Sequence, residues 1–190
     1  MAFNHNDHYH RTVLRRLPAR SGTALDVGCG TGRFARRLAA HGYIVEAVDP
    51  AFESIPDTPG VRFRQGDITR MDLPRAHYDA ITCLASLHHV PFDTVTRLRD
   101  ALAPGGVLAV LGCYRPGSPR DWAISHAAVP VNAVVRLALS WRPERGERAP
   151  VRQPEMTYDE VRARSAELLP GSTLRHLLFW RYLLVWRARS

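Results

Sequence analysis

The segment LDVGCGTGR, residues 25–33, limits the possible folds more than any other stretch of the chain. A short apolar run passes into glycines at 28, 30 and 32, then into a helix-compatible segment, 32–41, that stops before Gly42. A strand that turns on glycines straight into a helix opens a parallel α/β unit, because glycine permits the tight turn and lets backbone N–H groups approach a ligand. The alternation continues downstream. Strands are expected at 24–27, 43–48, 61–65, 78–84 and 106–112, and helices at 8–17 and 92–102. Between the second and third strands, PAFESIPDTPG holds three prolines in eleven residues, so the helix there is expected to be short or absent.

After Cys113 the pattern becomes irregular, with an apolar segment at 122–141 that suggests a helix around Pro130. Order returns at TYDE, where Thr157 and Glu160 form a capping box opening a helix to about Leu169, stopped by Pro170 and Gly171. The β-rich runs 172–179 and 181–187 are close enough to pair antiparallel. With 190 residues, 45% of them apolar, the chain supports one domain, 1–190. Within it, 1–20 is expected to be an N-terminal lid and helix, and 113–156 a substrate-side insertion.

The glycine spacing discriminates between cofactors. A dinucleotide fingerprint would need a third glycine at position 33, which is Arg33. Here Asp26 stands two residues before Gly28, and a carboxylate at that point suits a ligand bearing a cationic amino group rather than a phosphate. S-adenosyl-L-methionine is such a ligand. Asp49 ends the second strand and can accept from ribose hydroxyls; Asp67, in QGDI, can accept from an adenine amino group while Ile68 packs on the ring.

These motifs, with AVDP, the run YDAITCLASLHHV, APGGVLAVLG, the closing LLFWRYLLVWR and an opening HNxHYH, resemble the class I S-adenosylmethionine-dependent methyltransferases, in their small bacterial small-molecule branch. The resemblance spans nearly the whole chain. It implies a Rossmann-like α/β domain with a seven-stranded, mostly parallel sheet, order 3-2-1-4-5-7-6, last strand antiparallel, helices on both faces. It also implies cofactor contacts from Asp26, from the loop Gly28, Cys29, Gly30, Thr31 and Gly32, from Asp49 and Pro50, from Asp67 and Ile68, and from backbone at Cys83 or Leu84.

Methyl transfer needs alignment, exclusion of water and, for a hydroxyl acceptor, removal of a proton. His88 and His89, just after the fourth strand, are candidate bases, although LHHV also fits a plain turn of this family. Cys29 and Cys113 carry little weight as nucleophiles, since Cys113 has no evident base partner. The acceptor wall is expected from 114–154, including Tyr114 and Trp122. If part of that apolar stretch faces the cavity, the acceptor is moderately apolar or aromatic.

The opening FNHNDHYH is expected to fold over the methionine end as a lid, with Asn6, Tyr9 and His10 offering hydrogen bonds and Val13, Leu14 and Leu17 anchoring the helix behind it. Removing residues 1–10 is then expected to weaken cofactor binding and leave the fold intact. A metal is not expected, because His8 and His10 would point to nearly opposite sides of a helix. The formal charge of +8 is carried wholly by arginine and scattered without a basic run, so nucleic acid is not an expected partner. Three dispersed cysteines, no signal peptide and no membrane-length apolar run point to the cytoplasm, without stable membrane insertion. Two other functions share these motifs: methylation of RNA or protein, and cofactor binding in the service of isomerisation or cyclisation.

Overall fold

The computed structural model describes residues 5–18, 22–51, 57–118, 121, 153–178 and 180–189. The segment 122–141 with its expected helix, Trp122 included, lies outside the described residues, as do residues 52–56 of the proline-rich connection. In chain order the elements are α1 (His5–Leu14), β1 (Thr23–Val27), α2 (Arg33–Ala40), β2 (Ile44–Asp49), β3 (Val61–Gln65), β4 (Tyr78–Leu84), α3 (Thr94–Ala101), β5 (Leu102–Cys113), α4 (Tyr158–Leu168), β6 (Thr173–Leu177) and β7 (Arg181–Arg187). A single 3₁₀ turn, Leu87–His89, follows β4.

The seven strands form one sheet in the order β3-β2-β1-β4-β5-β7-β6, the order that the family resemblance implies. β1 through β5 pair in parallel, and β7 runs antiparallel to both neighbours, with Leu111 opposite Leu183 and Arg175 opposite the same residue. A central parallel strand must bury both faces, which is why β1 and β4 read as near-continuous apolar runs. Leu25, Val27, Ile81, Leu108, Val110 and Leu184 pack on one side against Val95 and Leu98 of α3 and Val161 of α4. Ala24, Val45, Ala80, Ala109 and Leu183 pack on the other against Phe34 and Leu38 of α2 and Val13 of α1. The small residues on this second face let α1 and α2 lie close to the sheet.

Two boundaries differ from the sequence expectation for physical reasons. β5 begins at Leu102 rather than Gly106, because Tyr78 pairs with Leu102 before a register shift brings Ala80 opposite Val107. The intervening APGG is accommodated as an irregularity inside the strand, with Gly105 at a φ of 74°. α1 starts at His5 and ends at Leu14, about one turn earlier than the apolar spacing suggests, yet Val13 and Leu17 are buried as anchors. α4 carries the expected capping box: the Thr157 N–H donates to Glu160 Oε2 at 2.7 Å, and the Glu160 N–H donates to Thr157 Oγ1 at 3.3 Å.

Candidate active site at the carboxyl ends of the strands

In an open parallel sheet, ligands bind in the crevice beyond the carboxyl ends of the strands, and the chemistry-bearing residues of this chain lie on that edge. β1 ends at Val27, and the chain turns through Gly28, Gly30 and Gly32 at φ of 70°, 50° and 71°. The turn is pinned by the sheet beside it. The N–H groups of Gly28 and Cys29 donate to Val48 O at 2.7 and 3.1 Å, and that of Gly30 donates to Asp49 Oδ2 at 2.9 Å.

The three glycines have different surroundings. A Cβ on Gly28 would lie 2.2 Å from Ser86 Cβ, and one on Gly32 would lie 2.6 Å from Phe63 Cε1. At Gly30 a Cβ would meet nothing within 4 Å. Gly28 and Gly32 are therefore required by packing, whereas the backbone at Gly30 borders open space that a ligand can enter. Thr31, exposed beside it, accepts from Arg36 Nη2 through its carbonyl at 2.8 Å.

Asp26, on β1, is 2% exposed. The Thr82 hydroxyl of β4 donates to its Oδ1 at 2.8 Å, while Oδ2 is buried with no hydrogen-bond partner. Burial pushes the Asp26 carboxyl up to about 7; Thr82 and the Ala35 amide favour the charged form, and the Asp49 carboxylate opposes it. A buried carboxyl with one free oxygen at the base of a glycine turn is complemented by a cationic donor.

Asp49 is held from both sides, its Oδ2 by Gly30 and its Oδ1 by the Ala51 N–H at 2.9 Å. Pro50, exposed next to it, accepts from Gln65 Nε2 at 3.1 Å. Asp67 is exposed, and both the amide and hydroxyl of Thr69 donate to its Oδ1, which holds the carboxyl below its ordinary range. Ile68, by contrast, is buried and belongs to the core cluster beneath the site. Cys83 is fully buried, and Leu84 is half-buried at the strand end.

After β4 the chain passes Ala85 at a positive φ of 54°, and Ser86 Oγ donates to Val27 O at 2.6 Å. That bond seats the serine against Gly28. The next turn presents His88, half-buried, and His89, exposed, with ring centroids 4.1 Å apart and tilted by 38°. Both line a cleft of about 350 Å³ together with Phe92, Cys113, Met156 and Tyr182. Burial pushes the Cys29 thiol up to about 12 and also raises Cys83 and Cys113, so none of the three offers a ready thiolate.

Other expected residues take other places. Tyr9 is buried on the inner side of α1 and donates its hydroxyl to Leu178 O at 3.3 Å. His10 is buried edge-on to Phe34, ring centroids 4.8 Å apart. Removing residues 1–10 would thus take out core packing as well as any cover. Asn6 lies in the first turn of α1, with its side chain outside the described set. Tyr114 packs edge-on to Tyr158 and His176, at 5.6 and 5.5 Å, within the apolar layer under α4 and β6.

The residues that sequence reasoning missed are Thr82 and Ser86. Ser86 stands inside the quoted run LASLHH, a short distance from the histidines, so proximity to the motif was a usable signal. Thr82 acquires its role only through strand pairing, opposite Asp26.

Residues 25–110 match the family described as Methyltransferase domain. An uncharacterized methyltransferase of Mycobacterium tuberculosis is 34% identical over 98% of this chain and 97% of its own. The ubiquinone biosynthesis O-methyltransferase of Coxiella burnetii is 35% identical over 50% of this chain and 45% of its own. Among solved structures, an S-adenosylmethionine-dependent methyltransferase from Mesorhizobium loti superposes with a TM-score of 0.63 at 18% identity, covering 96% of this chain and 99% of that one. Phosphoethanolamine N-methyltransferase 2 of Haemonchus contortus, solved with phosphomonomethylethanolamine and S-adenosylhomocysteine, gives a TM-score of 0.63 at 16% identity, covering 88% of this chain and 38% of that one. The low-identity structures speak for the fold alone, and the full-length relative carries the assignment further: the chain belongs to the methyltransferase family whose domain it matches.

Proposed function

We propose that this methyltransferase binds S-adenosylmethionine across its glycine turn and methylates an O, N or C atom of a small molecule held in the adjacent cleft. The observation that carries the first half is the buried Oδ2 of Asp26, without a hydrogen-bond partner, taken with the open space at Gly30 in the turn that follows β1. A cationic amino group supplies the missing donor, and a ligand lying along the turn meets backbone there instead of a side chain. The residues present fit the cofactor.

In this proposal Asp26, the loop from Gly28 to Gly32 and the backbone at Cys83 or Leu84 hold the methionine end. Asp49 holds the ribose, its position already fixed by the Gly30 and Ala51 amides. Asp67 and Ile68 hold the adenine. When bound, the cofactor supplies an electrophilic methyl group on a sulfonium for in-line displacement. What the chain adds is placement. The 3₁₀ turn sets His88 and His89 on the cleft wall, where an imidazole can take a proton from a hydroxyl acceptor. Phe92, Val90, Met156 and Val161 give that wall an apolar lining that excludes water.

The cleft volume supports a small acceptor, since about 350 Å³ is in the range of small-ligand sites and closed by the 3₁₀ turn on one side. Pro154, Glu155 and Met156 come from the end of the segment 113–156, in keeping with a substrate-side role for it. Isothermal titration with S-adenosylmethionine and S-adenosylhomocysteine tests the cofactor half: both are expected to bind, and no heat from the folded protein would sink it. Mass spectrometry of candidate small molecules, seeking a gain of one methyl, tests the acceptor half; a product of another reaction, or methylation confined to RNA or protein, would replace it.

A further inference from the structure

We infer that the methyl acceptor presents an oxygen, of a carbonyl, enol or phenol, to the hydroxyl of Tyr182, which donates to it inside the cleft; this rests on the acceptor cleft proposed above. The chain has six tyrosines. Four give their hydroxyls to the protein: Tyr9 to Leu178 O, Tyr43 to Pro18 O, Tyr78 to Glu46 Oε2 and Tyr158 to Leu174 O. The hydroxyls of Tyr114 and Tyr182 make no hydrogen bond among the described residues. Tyr114 is sealed within the layer under α4 and β6. Tyr182 lines the cleft.

Its place there follows from β5. Tyr182 stands opposite Gly112, and a Cβ on that glycine would lie 2.1 Å from Tyr182 Cζ and 2.3 Å from its hydroxyl oxygen. The phenol therefore lies over the glycine and crosses β5, an approach that any side chain at position 112 would block. Toward β4 it comes within the fields of the Cys113 and Cys83 thiols. Past the end of β4 the chain continues into the 3₁₀ turn of His88 and His89, which line the same cleft.

Tyr182 is 2% exposed, and the surface it keeps belongs to the cleft wall. Burial first, then the two thiols, pushes the phenol above its ordinary range, so the hydroxyl keeps its proton throughout the neutral range. A neutral hydroxyl in an apolar wall is a donor whose desolvation is uncompensated until a ligand supplies a lone pair. That requirement selects among acceptors. An alkylamine is an ammonium near neutral pH and has no lone pair to offer, and a thioether accepts only weakly. A carbonyl, enol or phenol oxygen fits, and the apolar surface at Phe92 and Met156 suits the carbon body that carries it.

The test uses the full chain saturated with S-adenosylhomocysteine and isotope-labelled at its methionine methyl groups. It is titrated with acetophenone and with α-methylstyrene, which has the same shape with a methylene in place of the oxygen. Met156 lines the cleft, and its methyl resonance reports occupancy. Acetophenone is expected to bind about tenfold more tightly than α-methylstyrene. Tyr182→Phe keeps the ring over Gly112 and deletes only the oxygen; it should erase the preference without lowering the melting midpoint, because no protein group satisfies that hydroxyl. Equal binding of the two probes by the wild type, or a preference that survives in Tyr182→Phe, would overturn the inference and leave the cleft standing. A variant that loses the preference only together with its melting midpoint would make the tyrosine structural and overturn it too. If neither probe moves the Met156 resonance, the cleft is not the acceptor site and the inference falls with it. The titrations are repeated without S-adenosylhomocysteine, so that a failure of that compound to bind counts against the cofactor proposal alone.

Discussion

Asp49 Oδ2 accepts the Gly30 N–H at 2.9 Å, so the carboxylate that ends β2 and the turn that follows β1 form one unit. The link is a charge-assisted bond between neighbouring strand ends, and it fixes the exposed part of the turn before any ligand arrives. Asp49→Ala would release both Gly30 and Ala51. Affinity for S-adenosylhomocysteine is expected to fall by tenfold or more while the far-ultraviolet dichroism is unchanged; calorimetric titration is the check.

Gly28 is constrained twice, by a φ of 70° and by Ser86. Gly28→Ala places a methyl 2.2 Å from the serine Cβ, so either the loop after β4 or the turn itself must shift. The left-handed backbone and the overlap together should cost about 2–4 kcal/mol. Gly30→Ala, free of any clash, should cost about 1 kcal/mol through backbone strain, yet still impair cofactor binding. Thermal melts of the two variants, followed by titration, separate packing from ligand approach.

The raised carboxyl of Asp26 makes stability depend on pH in a defined window. Its folded value is about 7 against 3.8 for a free aspartate. Below the lower value both states hold the proton; between the two, only the native state does. Stability from this residue therefore falls as pH rises from about 4 to about 7, by up to ~1.4 kcal/mol per pH unit, and then levels. Asp26→Asn should flatten that slope in urea melts run across the interval. Binding of a ligand ammonium near pH 6 should in addition release a proton, seen as a buffer-dependent heat in wild type and not in the variant.

Thr157 and Glu160 close the capping box at the start of α4, remote from the glycine turn. Thr157→Ala is expected to cost about 1 kcal/mol, lowering the melting midpoint by roughly 2–4 °C. Cofactor affinity should not change. A parallel loss of affinity would show that α4 is coupled to the turn.

Tyr9→Phe distinguishes two roles for α1. The structure gives the hydroxyl to Leu178 O, a contact that holds the helix to the loop before β7. Loss of that bond alone should cost about 1 kcal/mol and leave affinity for S-adenosylhomocysteine within twofold of wild type. A drop of tenfold in affinity with little loss of stability would instead place the tyrosine on the cofactor.

What could be seen in the sequence was whatever a short window encodes. The turn at Gly28 to Gly32, the strands Val61–Gln65 and Arg181–Arg187, and the capping box of α4 are written in neighbouring residues, and the strand order followed from the family resemblance those motifs carried. The register irregularity in β5 was not visible, because it depends on which residue of β4 Leu102 meets. The same holds inside the site. Asp26 could be picked out by its position before the glycines, but its partner Thr82 lies 56 residues away and is delivered by the pairing of β1 with β4. Tyr9 was legible as a polar-tipped aromatic near the start, whereas its burial against the sheet follows from the small residues of β4 and β5.

The position of β7 has a consequence for how the molecule comes to exist. It wedges between β5 and β6, contacting β5 from Val107 through Cys113. During synthesis, every other strand of the described residues emerges before it, apart from its partner β6, which precedes it directly. Until β7 arrives, β5 presents an open edge with Leu108, Val110 and Leu111 along it, and such an edge can template pairing with another chain. Loop closure across so long a separation is slow relative to local helix formation. The most hazardous interval in the synthesis of this sheet thus falls between the emergence of β5 and that of β7, when its central strands are in place and their covering neighbour is still missing.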